Sequence, residues 1–494
     1  MEGPAGRWKK GNPMAKFNAS LVVGLTFVAT FGGLLFGWDT AVISGAVSSI
    51  DAYFIDPLRL SETARSSLSG WTISSAIVGC IIGAGVAGWL STAMGRKGGL
   101  MIAALLFLLG SLGSAVPEVG FGTVGAMGPD ALPQFIGYRI LGGVGVGIAS
   151  MLSPLYIAEI SPSAIRGRLV SFNQLAIVLG ILVVYFVNWY IASLGNDVWL
   201  KSSGWRWMLA SEAIPSGVFL ILLAFVPDTP RWLVLRGRNE EALRQLERVT
   251  DAADARAILA EIQGTLVVRS APLFSFGATV VVVGVLLSVF QQFVGINAVL
   301  YYAPLMFSNM GASTSAAFLQ TVVVGAANML FTIVAIVTVD RWGRKPLLVA
   351  GAIVMAVAMI ALGTLFNTGA VGLGALVAVV VYIGGFAFSW GPVVWVLLAE
   401  MFPNSIKSKG LGLAVAAQWV ANWLVTASFK VLDGNSALNA MFHHGFAYWI
   451  YGAMSALAAL FVMRYVPETK GRSLEAIQEL WGGKGKSVES RITA

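Results

Sequence analysis

Ala158-Glu159-Ile160-Ser161-Pro162-Ser163-Ala164-Ile165-Arg166 returns later in the chain as Ala399-Glu400-Met401-Phe402-Pro403-Asn404-Ser405-Ile406-Lys407. Two further landmarks repeat at nearly the same offset. Gly95-Arg96-Lys97 recurs as Gly343-Arg344-Lys345, and Pro227-Asp228-Thr229-Pro230-Arg231 as Pro467-Glu468-Thr469-Lys470-Gly471-Arg472. Between the landmarks lie apolar segments near 18–46, 68–92, 98–116, 134–157, 169–193 and 206–226. Six more follow near 276–305, 316–339, 346–366, 371–398, 409–429 and 446–466. Each is long enough to cross about 30 Å of hydrocarbon as a helix. The landmarks fall after the same span of each set, so the chain reads as an all-α integral membrane protein of twelve transmembrane helices. The helices form two pseudo-symmetric six-helix halves, 18–226 and 276–466. A tail (1–17) precedes them and another (467–494) follows. Parallel repeats with a solute site between them are a transporter architecture, in which one half rocks against the other.

Composition agrees. The 494 residues are 57% hydrophobic and only 11% charged, against about 25% charged in a soluble protein. The 57 glycines suit closely packed membrane helices. Most of the 32 Lys and Arg fall in the two tails, the middle connection and the loops on that same side. The positive-inside rule therefore predicts that both termini are cytoplasmic, in a multi-pass protein of the cell inner (plasma) membrane. The net charge of +8 is topological, and no nucleic-acid partner is expected. The basic segment before the first span is expected to be a tail ahead of a retained helix. The connection 227–275 alternates charge with helical periodicity, as in residues 239–248, and predicts short amphipathic helices. The single cysteine, Cys80, excludes an intramolecular disulfide. His443 and His444 lie together in an outer loop and suggest neither a metal site nor a catalytic base, so no cofactor, metal or enzymatic activity is expected.

Polar residues inside apolar runs carry the functional reading. Gln291, Gln292 and Asn297 occupy one such run, residues 291–304, together with Gly295 and Pro304. A buried carboxamide without a partner costs a few kcal/mol. Uncharged groups that both donate and accept match a neutral, hydroxyl-rich solute. Gly295 and Pro304 let the helix bend or break, which membrane helices tolerate where they line a cavity. The alternative is that these amides bond neighbouring helices together. Asp39, in the first span, is a carboxylate in hydrocarbon and hence a functional candidate. Arg139, read as the one basic residue inside a span, is its partner, and Glu212 of the sixth span could modulate the pair. Desolvation and a nearby Arg act oppositely on a carboxyl group, so pairing and unpairing would load and release a proton. A static buried salt bridge is the other reading. Arg96, Glu159 and Arg166, with Asp340, Arg344 and Glu400 in the other half, are expected at helix ends as a cytoplasmic gate of charge pairs. The plainer reading is topological anchoring.

The ordered set GRK (95–97), PSAIRGR (162–168), PDTPRW (227–232), QQFVGINAVLYYAP (291–304), DRWGRKPLL (340–348), WGPVVWVLLAE (390–400) and PETKGRSLE (467–475) resembles the sugar porter family of the major facilitator superfamily. The resemblance spans about residues 20–480. It also covers GGLLFGWDTAVISG (32–45), SFNQLAIVLG (171–180) and AVAAQWVAN (414–422). It implies the major facilitator fold, alternating access and a central sugar site. Sugar contacts implied by motif are Phe36, Gln174, Gln291, Gln292, Asn297, Tyr301, Asn328, Gly391, Trp395, Gln418 and Trp419. The chemistry is sensible, since amides satisfy hydroxyls in pairs and an indole covers the C–H face of a pyranose. Proton-coupled members use the matching Asp and Arg as Asp39 and Arg139 are read here, whereas facilitative members tend to have a neutral residue at the Asp position.

The sequence also departs from the family pattern. Thr92 stands where an acid is usual, Lys407 where Arg is usual, and Asp228 replaces a Glu. Ile181 occupies a position where xylose-carrying members have Gln and glucose carriers an apolar residue. The expected function is therefore proton-coupled monosaccharide symport (D-xylose and/or D-glucose) by a protein acting as a monomer, with sugar, proton and membrane lipid as its partners. A facilitative uniporter is the alternative. A transporter-like sugar sensor is disfavoured by the short segment after the last span.

Overall fold

A computed structural model describes residues 17–162, 165–265, 271–403 and 405–470, with side chains except those of Thr265 and Asp340. Among the described residues, eleven helices are long and apolar enough to cross a membrane. One of them, Glu62–Ala115, runs for 54 residues and changes direction at Gly95 (φ 82°, ψ 172°), so it supplies two of twelve crossings. Gly343, the repeat of Gly95, has nearly the same backbone (φ 91°, ψ 163°) between Thr314–Trp342 and Arg344–Asn367. A Cβ at either glycine would lie 2.7 Å from a carboxylate oxygen, of Asp228 or of Glu468. The positive φ and the close carboxylate both demand glycine, which explains why this landmark repeats.

The remaining crossings of the first half are Ala19–Gly45, Gly128–Ile160, Arg166–Ser193 and Asp197–Phe225. Those of the second half are Ala278–Asn309, Leu373–Met401, Lys407–Asp433 and Phe446–Tyr465, beside the eighth and ninth already given. Short helices Pro230–Leu235, Asn239–Val249 and Ala252–Thr265 form the linker. Trp232 Nε1 donates to Thr92 O and Asn18 N to Val249 O, while Ala271 N donates to Ser405 O. The linker thus ties to both halves on one side of the molecule, called here the linker face; the opposite side is the far face.

Three helices are interrupted. In the seventh span, Ala278–Phe293 gives way to Ile296–Asn309 at Gly295 (φ 94°), where the Tyr451 ring leaves no room for a Cβ. Pro304, by contrast, sits inside a continuous helix, so of the two expected break points only Gly295 breaks the chain. The tenth span widens over Phe386–Trp390 into a π-type turn, a feature that helices carry frequently at functional sites. The sixth span turns at Ser211 and Glu212 between Trp205–Ala210 and Ala213–Phe225.

The reading of Arg139 as the one basic residue inside a span is corrected by the structure: Lys430 and Arg206 also sit within helices and are buried, at 7% and 8% exposure. Lys430 is bonded to Asp51 and Arg206 to Glu118. Burial opposes ionisation of Glu118, but two hydrogen bonds from Arg206 and one from the Tyr53 hydroxyl outweigh it and hold the carboxyl at about 2.

Candidate functional site

The seventh-span break places the amides. Gln291 is in the last turn before it, and Nε2 donates to Trp390 O at 2.8 Å and more weakly to Gly391 O at 3.4 Å. Those carbonyls sit where the π-type turn of the tenth span ends, so one interrupted helix is stitched to another. Gln292 Nε2 donates to Gln291 Oε1 (3.4 Å), and Asn297 Nδ2 donates to Gln292 Oε1 (2.6 Å) across the break. The three amides form a chain whose members each retain capacity for a hydroxyl group. They therefore bond helices and also present a shelf of neutral donors and acceptors.

Other residues implied for the sugar site surround or approach this shelf. Phe36 and Trp419 meet across the halves with ring centroids 5.6 Å apart. Gln418 is buried and its Oε1 has no hydrogen-bond partner. Asn328 and Tyr301 are buried, while Gln174, Trp395 and Asn297 are half-buried. Ile181 is 4% exposed and packs its backbone against Gly37 of the first span. An aliphatic side chain there bonds no hydroxyl.

The charged centre lies in the first half. Arg139 Nη1 donates to Asp39 Oδ1 at 2.8 Å, and their side chains are 3% and 4% exposed. Arg139 Nε and Nη2 have no hydrogen-bond partner, nor does Glu212 Oε1 at the turn of the sixth span. Glu212 and Asp39 both act electrostatically on Arg139, so two carboxylates share one guanidinium. Breaking such a pair by removing one partner generally costs about 3–5 kcal/mol, because the other charge stays buried. Tyr301 lies between this centre and the sugar shelf, close to Thr40, the neighbour of Asp39, whose own hydroxyl donates to Phe36 O.

At the linker face the repeated landmarks assemble into two matching clusters. Arg96 Nη2 donates to Glu159 Oε1 at 2.8 Å and Thr229 Oγ1 to Glu159 Oε2 at 2.6 Å. Arg344 Nη2 donates to Glu400 Oε1 at 2.8 Å and Thr469 Oγ1 to Glu400 Oε2 at 2.6 Å. Each cluster lies within one half, so these pairs brace their own half rather than bolt the two together. Arg166, expected among the charged groups at helix ends, does start a helix, and its Nη2 donates to the Ser161 carbonyl at 3.5 Å. The side chain of Asp340 lies outside the described residues. Among the described residues no group of three or more His, Cys, Asp or Glu is placed to hold a metal.

Hydrogen bonds between the halves lie toward the far face. Tyr185 donates to Leu300 O at 2.8 Å, Lys430 to Asp51 at 2.8 Å, and Ser436 N to Glu62. The arrangement is a twelve-span carrier with polar groups at its centre and its halves joined at the far side.

Residues 25–481 match the model of the family described as sugar (and other) transporter, and the chain belongs to that family. It is 51% identical to the D-xylose-proton symporter of Escherichia coli over 97% of this chain and 99% of that protein. It is 47% identical to the glucose facilitated diffusion protein of Zymomonas mobilis, over 93% and 98%. Among solved structures it resembles the partially occluded inward-open conformation of the E. coli xylose transporter. The TM-score is 0.84 at 50% identity, covering 92% of this chain and all of that one.

Proposed function

We propose that this protein is a proton-coupled monosaccharide symporter, carrying D-xylose and/or D-glucose by alternating access without chemical change to the sugar. The observation that carries the reading is the buried Asp39–Arg139 pair, with Glu212 beside it, in the same molecule as a chain of uncharged amides and with Tyr301 close to both Thr40 and Asp39. Exchanging Arg139 for a proton neutralises Asp39, and Glu212, beside the pair, is then the group placed to offset the Arg139 guanidinium. Gln291, Gln292 and Asn297 take the hydroxyls, with Gln174, Asn328 and Gln418 from neighbouring helices. Phe36, Trp395 and Trp419 cover the sugar's apolar face, and Gly391 offers its carbonyl. Ile181 leaves room for the hydroxymethyl group of glucose.

In this reading the described state faces inward. The far face is the outer one, both termini are cytoplasmic, and the protein works as a monomer in the inner (plasma) membrane. Segments 18–226 and 276–466 are the rocking units, with 1–17, 227–275 and 467–494 on the cytoplasmic side. The linker-face clusters keep each unit rigid as it rocks.

The test is sugar uptake into proteoliposomes with and without an inward proton gradient, for wild type and Asp39→Asn. Uphill accumulation in wild type alone, with counterflow kept in the variant, is expected. Purely downhill uptake by both proteins would leave the second reading, a facilitative uniporter, which the likeness to a glucose facilitated diffusion protein favours.

A further inference from the structure

At the far face the segment that follows the first span, together with the start of the second, meets the eleventh span through a pair of charges that the transport reading leaves unused. Lys430 Nζ donates to Asp51 Oδ2 at 2.8 Å, and Ser69 Oγ donates to Asp51 Oδ1 at 2.5 Å. The two side chains are 9% and 6% exposed. Among ion pairs between described residues, this is the one that joins the halves; the others lie within one half or within the linker. Its surroundings are tightly closed. A Cβ on Gly70 would fall 2.5 Å from the Ala427 carbonyl oxygen, and one on Gly434 would fall 2.2 Å from Ser66 Oγ. Glu62 accepts from Ser436 N on the same seam.

Two charges taken out of water compensate each other's lost hydration only while both are present. With one partner removed, the other is left buried and unpaired in the closed state. When the seam opens, water solvates either charge. A single neutralisation therefore penalises the closed seam selectively, whereas removing both charges removes the penalty. Ser69 and the close Gly70 and Gly434 contacts fix the carboxylate and exclude water, so the pair has no solvated alternative without helix separation.

We propose that Asp51 and Lys430, with Ser69 holding the carboxylate, form the latch that sets how often the far face opens. The latch governs access to the sugar site from that face and is distinct from Asp39, which governs coupling. This rests on the alternating-access reading and adds to it the element that controls one of its two gates.

The experiment is labelling of Ser66→Cys, in a Cys80→Ala background, by a membrane-impermeant maleimide on protein in lipid nanodiscs, where both faces are accessible. Ser66 is 5% exposed in the closed seam. Lys430→Met and Asp51→Asn are each expected to raise the labelling rate about tenfold, and the double variant to return to within about twofold of the parent. The charge-exchanged Asp51→Lys/Lys430→Asp protein is expected to label slowly as well, which keeps the test intact if a single variant does not fold. Parent-like labelling of both single variants overturns the latch, and so does a double or exchanged variant that labels faster than either single one. Quenching of tryptophan fluorescence by D-xylose checks that the site is intact. Uphill uptake with labelling that ignores these substitutions would defeat the latch alone. The expected labelling pattern with no proton-driven uptake would defeat the symport reading alone.

Discussion

The two halves carry nearly the same brace at the linker face and different chemistry at mid-membrane. Arg96, Glu159 and Thr229 repeat as Arg344, Glu400 and Thr469 with the same bond lengths, 2.8 and 2.6 Å. Deeper in, the first half holds Asp39, Arg139 and Glu212, while the second holds Gln291, Gln292 and Asn297. The shared part is what any rigid rocking unit requires, namely helix ends tied together. In the proposed reading the unshared part divides most of the labour: the ionisable groups of one half respond to protons, and the three linked amides of the other take sugar hydroxyls, with Gln174 added from the first half. Separation matters physically, because a charge among the amides would recruit them as ligands.

Substitutions can break that contrast in order of size. Asp39→Asn removes the titrating group and is expected to abolish uphill accumulation while counterflow persists, read by proteoliposome uptake. Counterflow lost in parallel would mean that the charged centre also builds the sugar site. Glu118→Gln breaks a buried charge pair in the same half that takes no part in coupling, and should lower stability by about 3 kcal/mol. A thermal-shift assay measures the loss, with the accumulation ratio unchanged in protein that remains folded. The depressed Glu118 carboxyl gives its stabilisation above the ordinary carboxylate range, lost only as pH falls toward about 2, so this loss should be constant from pH ~6 to ~8.

Gln291→Ala, on the amide side, should weaken sugar binding by roughly 10-fold, a loss of about one neutral hydrogen bond, without altering proton dependence. Titration of tryptophan fluorescence with D-xylose and D-glucose reads it. Ile181→Gln should shift the ratio of D-xylose to D-glucose affinity toward xylose by about 3-fold or more, measured by competition. No change would remove Ile181 from the specificity set.

The smallest effect concerns the titratable pair of the second half. His444 Nδ1 lies 2.9 Å from Asp433 Oδ1, and this bond raises the histidine above its ordinary value against the opposing effect of burial. A raised value means stabilisation that is full below about pH 6.5 and disappears as pH rises through the shifted range. The difference in melting temperature between wild type and His444→Gln should therefore shrink from about pH 5.5 to about pH 8.5. Sugar-driven proton uptake should not follow it; if it does, the division of labour fails.

Much of this was legible in the chain. Gly95 and Gly343 repeat because only glycine accepts that backbone against a carboxylate, and the spacing of charged landmarks between apolar runs counted the spans. Asp39 and Arg139 could be paired from sequence because a charge in the middle of an apolar run has few possible partners. The seventh-span break at Gly295 was anticipated for a similar reason, although Pro304 proved compatible with helix. Arg166 lies at a helix start as expected, but which group it bonds was not legible, since sequence does not reveal which way a side chain leaves a helix start. Asp51, Glu118, Arg206 and Lys430 were missed or read as loop charges, because near a helix end a charge in water and a buried one look the same in sequence.

The sequence by itself determined the number of crossings, the twofold repeat and which polar residues had to be accounted for within the membrane. It could do so because hydrocarbon tolerates neither unpaired charges nor free backbone groups, a constraint that acts residue by residue. The tertiary structure alone decided that Gln291 bonds the carbonyls of the tenth span, that the linker-face pairs stay within their own halves, and that Asp51 meets Lys430 across the seam. Those partners are distant in the chain, and which of several possible acceptors or counter-charges each group meets depends on how whole helices pack, which no local pattern encodes.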